Sequence, residues 1–230
     1  MIRLACFDLD GTLVSSLPEI AEGVRRLARA QGLPEPADEV VGVMIGGGVR
    51  VLIERLMKWW GAAGAPVAGL SEDALLRGLV EVWSAMDGSR ISAYPGAFEG
   101  VRALRAAGVA CWVVTNKEEP LARAFLEGRG LAGLFNGVIG AGGAERPKPA
   151  PDMIERAMRE AGAAPAECVM VGDSRNDALA ARAAGVRAML VETGYNEGVP
   201  LAAWAAAEDF HEVLPDVAHV CAQLIRELKR

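Results

Sequence analysis

Two aspartates stand two residues apart in Asp8-Leu9-Asp10-Gly11-Thr12, directly after the apolar run Leu4-Ala5-Cys6-Phe7. In extended backbone such residues point to one side, so both carboxylates can face one pocket. Two carboxylates about 4 Å apart repel by roughly 4 kcal/mol at a surface-like dielectric. A second apolar run, Cys168-Val169-Met170-Val171-Gly172, ends in Asp173, with Asp177 one helical turn beyond. Joining Asp173 to the first pair makes a cluster that needs a cation. An all-oxygen donor set of this kind suits Mg2+, completed by water and substrate phosphate. Asp8, Asp10, Asp173 and Asp177 are therefore the candidate metal-holding residues. Ser174 and Asp177 also match a helix capping box, which gives Asp177 a second explanation.

Two further clusters carry donors and positive charge. Thr115-Asn116-Lys117 follows the run Ala110 to Val114 and offers a hydroxyl and an amide for anionic oxygens. Asn116 with Glu119 reads equally well as a capping box opening a helix. In Arg146-Pro147-Lys148-Pro149 two prolines stiffen the backbone that presents one ammonium, a point charge for a phosphate oxygen. Pro151 is expected in the first turn of the next helix. Gly46-Gly47-Gly48 reads as a substrate-facing turn or as a flexible joint. Thr115, Asn116, Lys148 and Gly47 are thus the candidate phosphate- and substrate-binding residues. The 24 basic residues include only four lysines, Lys58, Lys117, Lys148 and Lys229. Two of them fall at these strand-end motifs. Lys148 is expected to be functional; the role of Lys117 stays open.

Other chemistries are excluded. Neither His211 nor His219 lies near these turns, which disfavours a Ser-His or Cys-His nucleophile. There is no G-x-x-x-x-G-K-[ST] loop, and Gly140-Ala141-Gly142-Gly143 lacks the dinucleotide fingerprint. The cysteines Cys6, Cys111, Cys168 and Cys221 are scattered without a C-x-x-C pair, as expected of buried thiols in a reducing compartment. A net charge of −6 over 230 residues argues against a nucleic-acid or anionic-membrane partner. No apolar stretch approaches bilayer-spanning length, and the run before Asp8 is too short for a signal peptide. A cytoplasmic protein is expected.

These groups must be held by strands. The runs at 4–7, 110–114, 137–139, 168–172 and 186–191 have the length of strands covered on both faces. Helical spacing at 97–107, 119–129, 151–161 and 176–184 closes on Gly108, Gly128, Gly162 and Gly185. Alternation of this kind predicts an α/β fold with a doubly wound parallel sheet. Ligands bind such sheets beyond the carboxyl ends of the strands, where Asp8, Thr115 and Asp173 stand. Residues 16–90 break the rhythm with helical patterning alone, as in Ile20/Val24/Leu27 and Val51/Leu52/Leu56/Trp59. They read as a helical insertion between core segments 1–15 and 91–230.

Four motifs, in order and over the whole chain, resemble those of the haloacid-dehalogenase-like superfamily. They are Asp8 to Val14, Thr115-Asn116-Lys117, Lys148 to Asp152 and Gly172 to Asp177. The resemblance implies a Rossmann-like core with a small helical cap that sets substrate specificity. Within the superfamily the chain resembles the bacterial phosphoglycolate phosphatases, through Val171 to Asp177, Gly194-Tyr195-Asn196 with Gly198, and Ile45 to Gly48 followed by Glu54-Arg55.

That resemblance implies a Mg2+-dependent phosphomonoesterase in which Asp8 forms an aspartyl-phosphate and Asp10 serves as acid and base. Lys148 and Thr115 would neutralise the transferred phosphoryl oxygens, making Asp8, Asp10, Thr115 and Lys148 the catalytic set. Mg2+ would be held by Asp8, the Asp10 main-chain carbonyl and Asp173. The expected partner is a small phosphate ester, 2-phosphoglycolate first, acted on by a monomer or homodimer. Pyrophosphate, an amino-sugar phosphate, or a β-phosphoglucomutase-like phosphoryl shift on a sugar are the alternatives. Asp10 speaks against a dehalogenase, and the joint presence of Asp8, Asp10, Lys148 and Asp173 against a non-catalytic regulator.

Overall fold

In the computed structural model, which describes residues 1–229, the chain opens with β1 (Leu4–Phe7) and the short β2 (Val14–Ser15). Four helices follow: α1 (Leu17–Ala30), α2 (Asp38–Gly42), α3 (Gly48–Ala62) and α4 (Glu72–Ser84). The chain returns through β3 (Ser92–Ala93) to α5 (Ala97–Ala106), β4 (Ala110–Glu118), α6 (Glu119–Gly128) and β5 (Gly137–Ala141). It continues with α7 (Asp152–Ala161), β6 (Cys168–Gly172), α8 (Arg175–Ala184) and β7 (Arg187–Val191). It closes with α9 (Leu201–Ala207), β8 (Val213–Leu214) and α10 (Val217–Leu228).

Six strands form one parallel sheet in the order β5-β4-β1-β6-β7-β8. Alternate residues feed opposite faces. Phe7, Val113 and Val171 pack against Val101 and Leu104 of α5, Leu126 of α6 and Leu224 of α10. Cys6, Val114 and Met170 meet Met153 and Ile154 of α7 and Ala181 of α8 on the other side. Burial on both faces explains why the strands read as unbroken apolar runs. The chain winds outward from β1 through β4 and β5, then restarts at β6 on the other flank. Asp8 and Asp173 therefore follow the two neighbouring strands at the switch point.

The four helices between β2 and β3 bury their own cluster, including Val24, Leu27, Leu52, Ile53, Leu56, Leu75 and Leu79. Trp60, fully buried, rather than the expected Trp59, completes the apolar face of α3. An antiparallel ribbon, Val14 opposite Ala93 and Ser15 opposite Ser92, ties the two crossings together. At two residues per strand it leaves no periodic signal. The same holds for β8, whose half-buried pair adds a sixth strand that the sequence does not announce.

Helix ends partly match the glycine pattern. Gly162 and Gly185 adopt the left-handed cap. Gly128, by contrast, is the last helical residue of α6, and Gly130 carries the positive φ. Leu131 N–H donates to Leu126 C=O at 2.7 Å, the longer-range bond of a Schellman turn, so Gly130 is the residue that needs glycine. Pro151 precedes α7 as its N-cap instead of lying in its first turn. No helix among the described residues is long and apolar enough to cross a membrane.

Candidate active site

Asp8 leaves β1 with its N–H donating to Val171 C=O of β6 at 2.9 Å, which fixes it over the switch point. Its Oδ1 accepts from Leu9 N–H at 2.7 Å. Opposite stands the Lys148 ammonium, 3.2 Å from Asp8 Oδ2 and 2.6 Å from Asp177 Oδ1. Lys148 also donates to Val114 C=O at 2.7 Å, so its three protons face Asp8, Asp177 and Val114. Burial pulls the Lys148 pKa down, but Asp177 and Asp8 outweigh it and leave the ammonium raised above its ordinary value.

Asp173 is held as tightly. Its Oδ1 accepts from Thr12 Oγ1 at 2.6 Å and its Oδ2 from Tyr195 N–H at 2.7 Å. Two glycines make room for it: a Cβ on Gly11 would lie 2.4 Å, and one on Gly194 1.9 Å, from Asp173 Oδ2. Thr12 and Tyr195 are functional neighbours that spacing alone does not single out. Thr12 lies 161 and Tyr195 22 residues from Asp173 in sequence, and only the folded loops bring them to it. The Tyr195 hydroxyl accepts from Ser16 and Leu17 N–H, both at 3.0 Å, and so joins this loop to the start of α1.

Carboxylate oxygens of Asp8, Asp173 and Asp177 lie within 4.8 Å of one another. Burial lifts the Asp8 carboxyl to about 6, with Lys148 opposing the rise and Asp177 adding to it. Burial, then Asp177 and Asp8, push Asp173 well above the usual carboxylate range. Three carboxylates and one ammonium leave the cluster short of positive charge, and its donors are all hard oxygens. That combination fits a divalent cation such as Mg2+. Asp177 is the most committed of the three, because its Oδ2 accepts from Ser174 N–H and Oγ–H while its Oδ1 takes Lys148. It caps α8 and holds the lysine at once. The Asp10 carboxylate, grouped with the metal candidates by sequence, lies outside this trio.

Asp10 instead meets Lys117, whose Nζ donates to both of its carboxylate oxygens at 3.0 and 3.2 Å. The cause lies in β4. Three residues separate Val114 from Glu118 where only Gly140 separates their partners Ile139 and Ala141 on β5, so Thr115, Asn116 and Lys117 bulge out of the ladder. A bulge re-aims side chains where an even strand would alternate them. It also moves the start of α6 to Glu119, so Asn116 caps nothing. Its side chain instead accepts from Lys148 N–H at 2.9 Å and donates to Lys148 C=O at 2.9 Å and Gly46 C=O at 3.2 Å. With its amide so engaged, Asn116 positions Lys148. Thr115, buried beside Asp8, hydrogen-bonds that carboxyl and helps to oppose its raised pKa.

The glycine turn at the start of α3 closes over these residues. Asn116 and Asn176 both donate to Gly46 C=O at 3.2 Å, a clamp between the helical insertion and the sheet. A cavity of about 70 Å³ lies beneath it, bounded by Asp8, Asp10, Thr115 and Lys117 on one side and Val49, Leu52 and Trp83 on the other. Gly46 and Gly48 line this cavity; Gly47, the expected contact, is the N-cap of α3 with Val51 beside it. His219 lies in the first turn of α10, paired with the N-cap Asp216, and all four cysteines are buried as free thiols.

A doubly wound sheet with a carboxylate–lysine cluster at its switch point and helices inserted after the first strand defines an α/β enzyme of the dehalogenase-like type. The family model described as haloacid dehalogenase-like hydrolase matches residues 2–185, and the chain belongs to that family. It is 36% identical over 219 residues to a phosphoglycolate phosphatase of Caulobacter vibrioides, covering 95% of this chain and 90% of the relative. It is 35% identical to phosphoglycolate phosphatase 1 of Pseudomonas aeruginosa, over 93% of this chain and 79% of the relative. A crystal structure from Haemophilus somnus, described as a predicted phosphoglycolate phosphatase, superposes with a TM-score of 0.88 at 29% identity, covering 97% and 98% of the two chains.

Proposed function

We propose that this protein is a Mg2+-dependent phosphomonoesterase that hydrolyses 2-phosphoglycolate to glycolate and phosphate through an aspartyl-phosphate on Asp8. The observation that carries this reading is the Lys148 ammonium held 3.2 Å from Asp8 and 2.6 Å from Asp177, beside Asp173. A carboxylate so placed can attack phosphorus while a fixed ammonium offsets the charge of the phosphoryl oxygens. Asp8 and Asp173, with the Asp10 main-chain carbonyl, would hold Mg2+, and Asp177 would keep Lys148 in line. When bound, Mg2+ supplies charge neutralisation for the phosphoryl group and the carboxylates around it.

In the first half of the reaction an Asp8 oxygen bonds to phosphorus as the phosphorus–alkoxide bond breaks. Asp10 gives its proton to the departing alkoxide. In the second half Asp10 takes a proton from the water that attacks the aspartyl-phosphate, and Asp8 is regenerated as phosphate leaves. Thr115 and Lys148 contact the transferred group, and Asn116 holds Lys148 from behind.

Residues 16–90 act in this reading as the cap that closes on the leaving group, between core segments 1–15 and 91–230. The cavity of about 70 Å³ takes on the order of five water-sized groups, room for a glycolate fragment but tight for a sugar ring. A second reading is favoured by an adjoining cavity of about 150 Å³, which shares Ile20, Trp83, Lys117 and Leu121 with the first. A leaving group that crosses this junction would be larger, such as an amino sugar. Specificity constants with Mg2+ for 2-phosphoglycolate, pyrophosphate, glucosamine 6-phosphate and glucose 1-phosphate test the choice. A value for 2-phosphoglycolate at least tenfold above the others is expected. Phosphate release from another ester at a higher constant overturns the substrate, and glucose 6-phosphate formation without phosphate release overturns hydrolysis.

A further inference from the structure

Lys117 is a cation for which the phosphoryl chemistry has no use. It lines the cavity between the sheet and the helical insertion, and it is the one cationic side chain lining that cavity among the described residues. The other titratable groups there, Asp8, Asp10 and Glu118, are carboxylates. Cations farther out are committed elsewhere. Arg55 and Arg175 both pair with Glu197, and Arg129 donates to Gly88 and Ile91 C=O. The Lys117 side chain keeps 16% of its surface exposed and stands where this cavity meets the larger one. Its three ammonium protons have one acceptor group, the Asp10 carboxylate. Trp83, Ile20 and Leu121 form apolar walls around it, which strengthen any charge pairing made there.

We propose that Lys117 is the specificity-determining residue that receives a carboxylate on the leaving group, from its station beside Asp10. The inference rests on the phosphoglycolate reading and deepens it: the site selects phosphate esters of small hydroxy acids over those of neutral alcohols. Lys148 serves the phosphoryl end, so an acidic leaving group finds Lys117, whose ammonium meets Asp10 alone, as the cation lining the cavity among the described residues. A lysine that merely orients Asp10 affects every ester alike; a carboxylate receptor affects acidic ones alone.

The test is calorimetric, with Mg2+, and uses two non-hydrolysable phosphonates. One is 3-phosphonopropionate, which has the skeleton of phosphoglycolate. The other is 3-hydroxypropylphosphonate, in which a neutral hydroxymethyl group replaces the carboxylate. The parent protein should bind the first at least tenfold more tightly. Lys117→Met should weaken the first by about 10- to 100-fold, the value of one charge-assisted hydrogen bond, and the second by less than threefold. Lys117→Arg should restore part of the preference, and Lys117→Gln repeats the measurement if the methionine variant does not fold. Equal binding of both compounds by the parent overturns the proposal, as does an equal loss for both in the variant. Phosphoglycolate turnover is measured alongside. Its absence with the Lys117-dependent preference intact removes the substrate assignment and keeps the carboxylate site. Turnover without that preference does the reverse.

Discussion

Asn116 and Lys148 grip each other through two reciprocal hydrogen bonds, each 2.9 Å, from side-chain amide to main chain. The pairing fixes the loop whose ammonium enters the carboxylate cluster, and it spans 32 residues of sequence. Asn116→Ala should leave a buried N–H and C=O of Lys148 unpaired, at a cost of about 1–3 kcal/mol in stability. Turnover should fall about 100-fold through kcat, because Lys148 drifts while substrate contacts remain. Steady-state kinetics and thermal melts check this. A rise in KM alone would instead make Asn116 a substrate contact.

Gly194 bears on Asp173 by contact alone. It is not among the glycines with positive φ, so its backbone tolerates alanine, but the added Cβ would lie 1.9 Å from Asp173 Oδ2. Gly194→Ala should therefore displace one carboxylate and little else. The Mg2+ concentration for half-maximal activity should rise at least about tenfold, the equivalent of roughly 1.4 kcal/mol. Titration of activity against Mg2+, with circular dichroism for the fold, measures it.

The metal should also leave a mark on stability against pH. Without metal, Asp8 sits near 6 and Asp173 well above its ordinary value, both raised chiefly by burial. Between the ordinary carboxylate value near 3.9 and these raised values the folded state holds more protons than the unfolded one. Stability of the metal-free protein should thus fall as pH rises through that interval. Mg2+ binds the deprotonated carboxylates and should offset the loss. At about 100 times its Kd it contributes about 2.7 kcal/mol, or about 5–10 °C in Tm, at pH 7.5 and much less at pH 5. Melting curves with Mg2+ and with a chelator at both pH values measure the difference.

The sheet was legible because double burial writes each strand as an apolar run, and the polar residue ending each run marks the site. Asp8 and Asp173 converge for that reason, and Lys148 joins them from the loop after β5 that Asn116 holds. The Thr115-Asn116-Lys117 segment was legible only as chemistry. Its geometry follows from a register shift against β5, which no local pattern encodes. Asn116 thus reads equally as a cap or as an anion contact, and the Lys117–Asp10 pair is invisible until the bulge is seen. Thr12 and Tyr195 serve Asp173 across 161 and 22 residues of sequence, through contacts that only the folded loops create. The strands β2, β3 and β8 are two residues each, too short for any period to show.

In the proposed reaction everything turns on Asp8 taking the phosphoryl group. The most direct measurement is Mg2+-dependent phosphate release from 2-phosphoglycolate by the parent protein and by Asp8→Asn, with matching melts to establish that both are folded. Turnover in the ordinary enzymatic range of about 1–10³ per second is expected for the parent, with no measurable release by the variant. Release by Asp8→Asn at a rate near the parent's would contradict it.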